Sequence, residues 1–178
     1  ADEAHRLGLH GVGICHCPTS NALLASGRCR TREIEAAGSP LGLGSDGGAS
    51  AGAANMLEEI RHAVMVSRLT YGDAAGTTHL DALRWATEGS AGCLGRTDIG
   101  RIAAGLCADF ALFRMDEMRL SGAHDPIAAI ALVGASRADR VMIGGKWTVV
   151  DGAPVGMDVG ALIARHRREA RRLAAIAG

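Results

Sequence analysis

The first quarter of the chain alternates short apolar runs with amphipathic stretches. Residues 12–16 (VGICH) are mostly small or β-branched and stop before Pro18, and residues 40–46 (PLGLGSD) form a second run of this kind. Between them, residues 31–38 (TREIEAAG) have the pattern of a short helix that ends at a glycine. A strand, a helix and a strand joined by so little chain predict two parallel strands of an α/β sheet.

Longer helical patterns follow these two strands. Residues 53–69 place apolar side chains at helical spacing, which predicts an amphipathic helix. Those side chains are Met56, Leu57, Ile60, Val64 and Leu69. Residues 79–95 predict another helix that leads into a shorter one.

The pattern changes after Ile102. Three short apolar runs, separated by Gly or Asp-Gly turns, predict a small β layer at residues 108–113, 139–145 and 146–152. Residues 158–177 predict a last helix whose arginines line a solvated face. The first residues, ADEAHRLGLHG, have the pattern of the middle of a helix that runs into a glycine, so we expect this sequence to be a piece of a longer protein.

Composition narrows the class of function. The 178 residues are 48% hydrophobic, and nineteen basic residues balance nineteen acidic ones, so the formal net charge is zero. A neutral chain offers no global attraction for nucleic acid or for an anionic membrane. No apolar run approaches the ~20 residues of a membrane span and no basic-then-apolar leader opens the sequence, so we expect a cytoplasmic location. Five scattered cysteines without zinc-finger spacing favour reduced thiols.

The stretch ICHCPTSN (14–21) is the first candidate for chemistry. Side chains alternate across a strand, so Cys15 and Cys17 share one side, His16 takes the other, and the three cannot hold one metal together. Active sites of α/β folds gather at the carboxyl ends of strands, where His16 stands. The alternative is a buried histidine that hydrogen-bonds to a neighbour in the core. Ser20 and Asn21 supply further polar groups at the same strand end.

The second candidate is Asp46 in GLGSDGGAS (42–50), at the end of the second strand. An Asp-Gly pair after a strand is commonly a turn or a helix N-cap. A phosphate cradle is a further option, although neither glycine-rich phosphate motif is in register. Because His16 and Asp46 each end a neighbouring parallel strand, we expect both side chains to face one mouth. A carboxylate there can bind a metal and also carry a proton from metal-bound water.

Taken together, these motifs resemble a known family. HCPTSN, followed thirty positions after its histidine by the aspartate of LGLGSDGGAS and then by NMLEEIRHAV, resembles the C-terminal half of the metal-dependent amidohydrolase superfamily. Residues 81–113 resemble the superfamily's exit from its barrel into a small β-sandwich. Within the superfamily, the chain is most similar to cytosine, guanine and hydroxytriazine deaminases. Residues 110–135 and 160–173 extend this similarity to 8-oxoguanine deaminases.

The resemblance implies an α/β fold. Residues 1–100 would be the C-terminal part of a (β/α)8 TIM barrel, with its last two strands and helices. Residues 101–157 would be part of the small β-sandwich, and residues 158–178 a C-terminal helix.

The resemblance also implies one divalent metal, usually zinc or iron. Asp46 matches the metal ligand of the eighth strand, which is also the catalytic proton carrier. His16 and Asn21 match the motif of the seventh strand, where both would lie near the substrate and His16 would take part in catalysis. Cys15 and Cys17 would then face the outer helices as small hydrophobic residues.

The implied activity is hydrolytic deamination of an aromatic heterocycle, with 8-oxoguanine as the favoured substrate and a homo-oligomer as the expected assembly. The alternatives are a hydroxytriazine or guanine amidohydrolase, or an inactive structural segment, because the histidine ligands of earlier strands lie outside this sequence. Two departures bear on the substrate. Residues 27–30 are GRCR where relatives carry an apolar stretch, and residues 50–52 are Ser-Ala-Gly where relatives carry Ser-Asn-Asp. Arg28 and Arg30 could bind the carbonyl oxygens of an oxidised purine or could face water.

Overall fold

Two parallel strands form the centre of the first half of the molecule, as the sequence predicts. In the computed structural model, which describes residues 2–52, 54–134 and 137–177, strand β1 (Ile14–His16) pairs with strand β2 (Leu41–Leu43). The register places Ile14 beside Leu41 and His16 beside Leu43. Adjacent residues of a parallel pair point to the same face of the sheet, so the face of Leu43 is also the face of His16.

The helices surround this pair and continue after it. In chain order they are α1 (Asp2–Leu9), α2 (Pro18–Leu23), α3 (Thr31–Ala36), α4 (Gly48–Ala51), α5 (Met56–Tyr71), α6 (His79–Arg84), α7 (Ser90–Cys93), α8 (Pro126–Leu132) and α9 (Val159–Ala177). A π-helical turn, Trp85–Gly89, joins α6 to α7, so the predicted helix pair at 79–95 is one continuous rod with a widened turn. Helix α2, directly after β1, is absent from the sequence prediction.

The core lies between the sheet and the helices on one of its faces. Leu41 and Leu43 are 4% and 3% exposed, and β2 packs against α3, α5 and the π-helical turn. The buried members of this core are Ile34, Leu41, Leu43, Ile60, Ala63, Val64, Ala82, Trp85 and Ala131. Burial of these apolar side chains is the main term that holds the layers together.

The π-helical turn brings the next helix onto the outer edge of β2. The Ser90 hydroxyl accepts a hydrogen bond from the backbone N–H of Leu43 at 3.2 Å and lies 3.1 Å from the carbonyl oxygen of the same residue. Gly89 lies so close to the strand that a Cβ atom there would overlap the carbonyl oxygen of Leu41. The π-helical turn and the start of α7 therefore lie directly against Leu41 and Leu43 of β2.

The second half contains the predicted β layer and one further helix. Strands β3 (Phe110–Leu112), β4 (Arg140–Ile143), β5 (Lys146–Val150) and β6 (Ala153–Pro154) form an antiparallel sheet in chain order. Helix α8 interrupts the region predicted as β-sandwich, and its Ala131 belongs to the core beside α5 and α6. Asp125 caps this helix by accepting from two backbone N–H groups, and Pro126 begins it. No helix in the part of the chain that the structure describes is long and apolar enough to cross a lipid bilayer.

Candidate functional site

Asp46 lies where the loop after β2 meets two short helices. Its backbone is left-handed, with φ at 59°, which is uncommon for a residue other than glycine. The Ser20 hydroxyl of α2 donates to Asp46 Oδ2 at 2.6 Å, and the Ser50 hydroxyl of α4 donates to the same oxygen at 2.8 Å. Two hydroxyls thus hold one carboxylate oxygen, and neither reaches Oδ1.

These hydrogen bonds set the charge of the site. The Ser20 hydroxyl first, and then the Ser50 hydroxyl, hold the pKa of the exposed Asp46 carboxyl below its usual value, because they stabilise the ionised form. Asp46 is therefore an anion at neutral pH. An exposed carboxylate with one oxygen already fixed presents the other oxygen, Oδ1, for a cation or a proton.

The expectation that His16 faces the mouth with Asp46 is wrong. His16 shares the face of Leu43, which packs against the helices, and is only 3% exposed. Its Nδ1 is buried and has no hydrogen-bond partner, and burial lowers the pKa of the imidazole to about 4. The large apolar residues of β2 must face the helices, and the parallel register takes His16 to that side with them. The structure therefore gives no support to His16 as a catalytic or substrate-binding residue.

The expectation that Cys15 and Cys17 face the outer helices is wrong for the same reason. The two thiols do share one side of the strand, opposite to His16, as alternation predicts, but it is the side of Gly42 and Gly44. The Cβ position of Gly44 would lie 2.7 Å from the Cys15 sulfur and 3.2 Å from the Cys17 sulfur. Gly44 therefore makes room for both thiols, on the face where the sequence predicted His16. Each of the five cysteines is free, as predicted.

Helix α2 is held by α5 at residues that sequence reasoning missed. The side-chain carboxylate of Glu59, 1% exposed, accepts the backbone N–H of Thr19 at 3.2 Å. One turn later, His62 Nδ1 lies 2.6 Å from the Thr19 hydroxyl. The signal was present in the helical pattern, since Glu59 falls on the buried stripe that also includes Ala63 and Ser67. A charged residue at a core position indicates a specific partner.

The structure shows no hydrogen bond between Asp46 and the other predicted residues, which are Asn21, Arg28 and Arg30. Asn21 is half-buried in α2, and its role near a substrate stays a prediction. Arg30 forms an ion pair with Glu33 at 2.6 Å and is 62% exposed, so it faces water and its own helix. Arg28 is exposed in the loop before α3, and its role stays a prediction as well.

Among the described residues, Asp46 is suited to be one ligand of a metal centre, but the other ligands that such a centre needs are not beside it. Among the residues that the structure describes, no group of three or more His, Cys, Asp or Glu side chains could hold a metal ion. Asp46 fits a zinc ligand because it is ionised, exposed and fixed through its other oxygen. The remaining ligands of such a centre would have to come from outside this sequence.

Comparison with known proteins places these features in a family. The model of the amidohydrolase family matches residues 1–148. The chain is 59% identical over 175 residues to an 8-oxoguanine deaminase of Pseudomonas aeruginosa, which covers 98% of this chain and 39% of that enzyme. It is 35% identical over 162 residues to a hydroxydechloroatrazine ethylaminohydrolase of a Pseudomonas species, covering 89% of this chain and 34% of that enzyme.

A solved structure has the same fold as this chain. The fold matches a zinc-bound adenosine deaminase of Xanthomonas campestris with a TM-score of 0.91 and 32% identity, over 98% of this chain and 40% of that one. The chain thus spans about two fifths of the length of these proteins, with 39% of the 8-oxoguanine deaminase and 40% of the adenosine deaminase matched.

Proposed function

Since this chain belongs to the amidohydrolase family, we propose that it is the C-terminal part of a metal-dependent enzyme that hydrolytically deaminates an aromatic heterocycle, with 8-oxoguanine as the favoured substrate. Residues 1–100 would complete a (β/α)8 barrel, residues 101–157 would add part of a β-sandwich, and residues 158–178 would form the C-terminal helix. The enzyme would work in the cytoplasm as a homo-oligomer. The 59% identity to an 8-oxoguanine deaminase supports the substrate.

The observation that carries the proposal is the arrangement around Asp46. Ser20 and Ser50 both donate to Oδ2, so its acceptor positions are taken. Oδ1 would therefore bind the metal, take up a proton from the attacking water, and release it to the amino nitrogen of the substrate. Water adds to the amine-bearing ring carbon, the carbon–nitrogen bond breaks, and ammonia leaves. A divalent metal held in part by Asp46, zinc by analogy with the adenosine deaminase structure, would activate the water at neutral pH.

Replacing the carboxylate tests this role. In the full-length protein, Asp46→Asn keeps the shape but removes the base, so we expect kcat to fall by at least about 10²-fold, as for other removed acid or base groups. Steady-state kinetics with 8-oxoguanine and a zinc assay measure the effect.

A matched control is available in the same chain. Asp151 is an aspartate with the same left-handed backbone, with φ at 52°, and its side chain is 81% exposed. Asp151→Asn should leave kcat unchanged. Near-normal turnover in Asp46→Asn would exclude Asp46 as the proton carrier.

A hydroxytriazine amidohydrolase is the second candidate, favoured by the 35% identity to the hydroxydechloroatrazine enzyme. Assays of the full-length protein with 8-oxoguanine, guanine and a hydroxylated N-alkyl triazine separate the two. We expect kcat/KM to be highest for 8-oxoguanine. A higher value for the triazine would transfer the assignment to the second candidate.

A further inference from the structure

We propose that Glu59 is a positioning residue, which holds helix α2 in the place where Ser20 reaches Asp46. The kinetic test of this inference rests on the proposed function. The contacts that support the inference are independent of that function. The residue that takes this role is a buried carboxylic side chain of α5.

The first observation is the environment of Glu59. Its side chain is almost fully buried, at 1% exposure, and an ionisable group in such a place is costly unless it is hydrogen-bonded. The bond that it accepts comes from the backbone N–H of Thr19, in the first turn of α2. The N-cap of α2 is Cys17, whose side chain makes no capping bond. Glu59 thus takes the place of the missing cap.

The second observation is that α5 contacts Thr19 twice. His62 follows Glu59 by three residues and so lies on the same face of the helix. Its Nδ1 lies 2.6 Å from the Thr19 hydroxyl. Helix α5 therefore binds both the backbone and the side chain of this residue, which fixes the position and the rotation of a helix only six residues long.

The third observation links this clamp to Asp46. Ser20, the neighbour of Thr19, is 3% exposed, and its hydroxyl donates to Asp46 Oδ2 at 2.6 Å. Asp46 has a strained left-handed backbone, which persists only where surrounding contacts support it. A shift of α2 would lengthen the Ser20 contact and release the carboxylate. Small displacements of a catalytic group have large effects on rate, up to about 10²-fold for 1 Å.

A double-mutant cycle in the full-length protein tests the link. Because Gln would still accept the Thr19 N–H, the variant must lose both side-chain oxygens, and Glu59→Met does so at similar length. We expect Glu59→Met to lower kcat about tenfold while KM stays within about twofold, and Ser20→Ala to do the same. If Glu59 acts through Ser20, adding Glu59→Met to Ser20→Ala should lower kcat by less than about twofold more, because coupled residues are not additive. Independent losses that multiply in the double mutant would overturn the proposal. Glu58→Met, at the exposed neighbouring position, is the matched control and should leave kcat unchanged.

Zinc affinity gives a readout that needs no turnover. In competition with a chelator, Glu59→Met should weaken zinc binding about tenfold in the wild-type background and less than about twofold in the Ser20→Ala background. Equal weakening in both backgrounds would overturn the link, whereas tight zinc binding without deamination of any heterocycle would contradict the proposed function alone.

Should Glu59→Met fail to fold, Thr19→Val replaces the hydroxyl that meets His62 with a methyl group. It should lower kcat about threefold or more at unchanged KM, with the same dependence on Ser20. Wild-type kcat in a folded Thr19→Val protein would overturn the clamp.

Discussion

His16 makes the stability of the fold depend on pH. The unfolded chain takes up a proton on this imidazole near its usual pKa of ~6.5, whereas burial lowers the pKa in the folded chain to about 4. The unfolded state therefore binds the extra proton first as the pH falls. The stability that neutral His16 allows is fully present above pH ~6.5 and is lost progressively towards pH ~4.

From pH 7 to pH 5, we expect the free energy of unfolding to fall by about 2 kcal/mol through His16. Urea denaturation at the two pH values measures it, and His16→Gln, which has no titrating group, should lose most of this difference. An unchanged pH dependence in His16→Gln would show that other groups cause the loss.

The Cys15 thiol should react slowly at neutral pH although it is partly exposed. The surrounding protein keeps water from the thiolate, with smaller contributions from the Cys17 and Cys93 thiols, and raises the pKa to about 11. Only the thiolate is alkylated. We expect the rate at which iodoacetamide alkylates Cys15 to increase about tenfold per pH unit up to pH ~11. The rate for an ordinary free thiol, in contrast, levels off near pH ~8.5. Mass spectrometry of the modified peptide, compared with Cys15→Ser, measures the rate, and levelling below pH 9 would contradict the raised pKa of Cys15.

The sequence predicted the alternation of Cys15, His16 and Cys17 but not the face that each occupies. In a three-residue strand, the sequence shows that side chains alternate between the two faces of the sheet. It does not show which of these faces packs against the helices. That side was decided by the neighbouring strand, where Leu41 and Leu43 are large and the residues between and after them are glycines. The face of His16 follows from the face of Leu43 only once the register between the two strands is known, and that register depends on tertiary packing.

At the scale of elements, Gly89 is where the π-helical turn meets β2. Replacing a glycine by alanine inside a helix usually stabilises it by up to about 1 kcal/mol. Here the new methyl group would overlap the carbonyl oxygen of Leu41, a backbone atom that cannot easily move. We expect Gly89→Ala to destabilise the protein by about 1–3 kcal/mol, as overpacked sites do.

Gly48→Ala is the matched control for this change, because it lies in a helix with open space at its Cβ position and without a positive φ. It should be neutral or slightly stabilising. Chemical denaturation of both variants compares them, and a neutral Gly89→Ala would indicate that α7 can move away from the strand.

Helices α2 and α8 show where local patterns were insufficient or overlooked. Helix α2 has six residues and begins with a proline, and its first turn is hydrogen-bonded to Glu59, which lies forty positions further along the chain than Thr19. No local pattern contains that partner. Helix α8, in contrast, carries its own signal, since Asp125 and Pro126 precede an apolar run and form a standard helix start.

At the scale of the whole molecule, the chain brings one candidate metal ligand. The structure shows no cluster of three ligating side chains within residues 2–52, 54–134 and 137–177, and one carboxylate cannot hold a catalytic zinc against water. We therefore expect this 178-residue chain, purified alone, to hold well below one zinc per molecule after dialysis. Elemental analysis measures the metal. Stoichiometric zinc that Asp46→Asn abolishes would show that the chain supplies a complete site.

The overall architecture was largely predictable because its signals are local. The parallel pair, the long helix α5, the β layer and helix α9 all follow from periodicity and turn residues. The arrangement of polar groups around Asp46 was not, because it joins a loop residue to two separate helices, α2 and α4. Sequence reasoning identified Asp46 and noted Ser20, but the pairing of Ser20 and Ser50 on one oxygen required coordinates.

The contact between Ser90 and Leu43 also bears on solubility. A strand edge with free N–H and C=O groups is a template on which a second chain can add a strand, which begins aggregation. By accepting the N–H of Leu43, the Ser90 hydroxyl removes one free donor from β2. Because Ser90 follows Leu43 along the chain, this donor gains its partner only after α7 has been synthesised and has docked. A nascent chain that stalls before residue 90 would expose the strand to its neighbours.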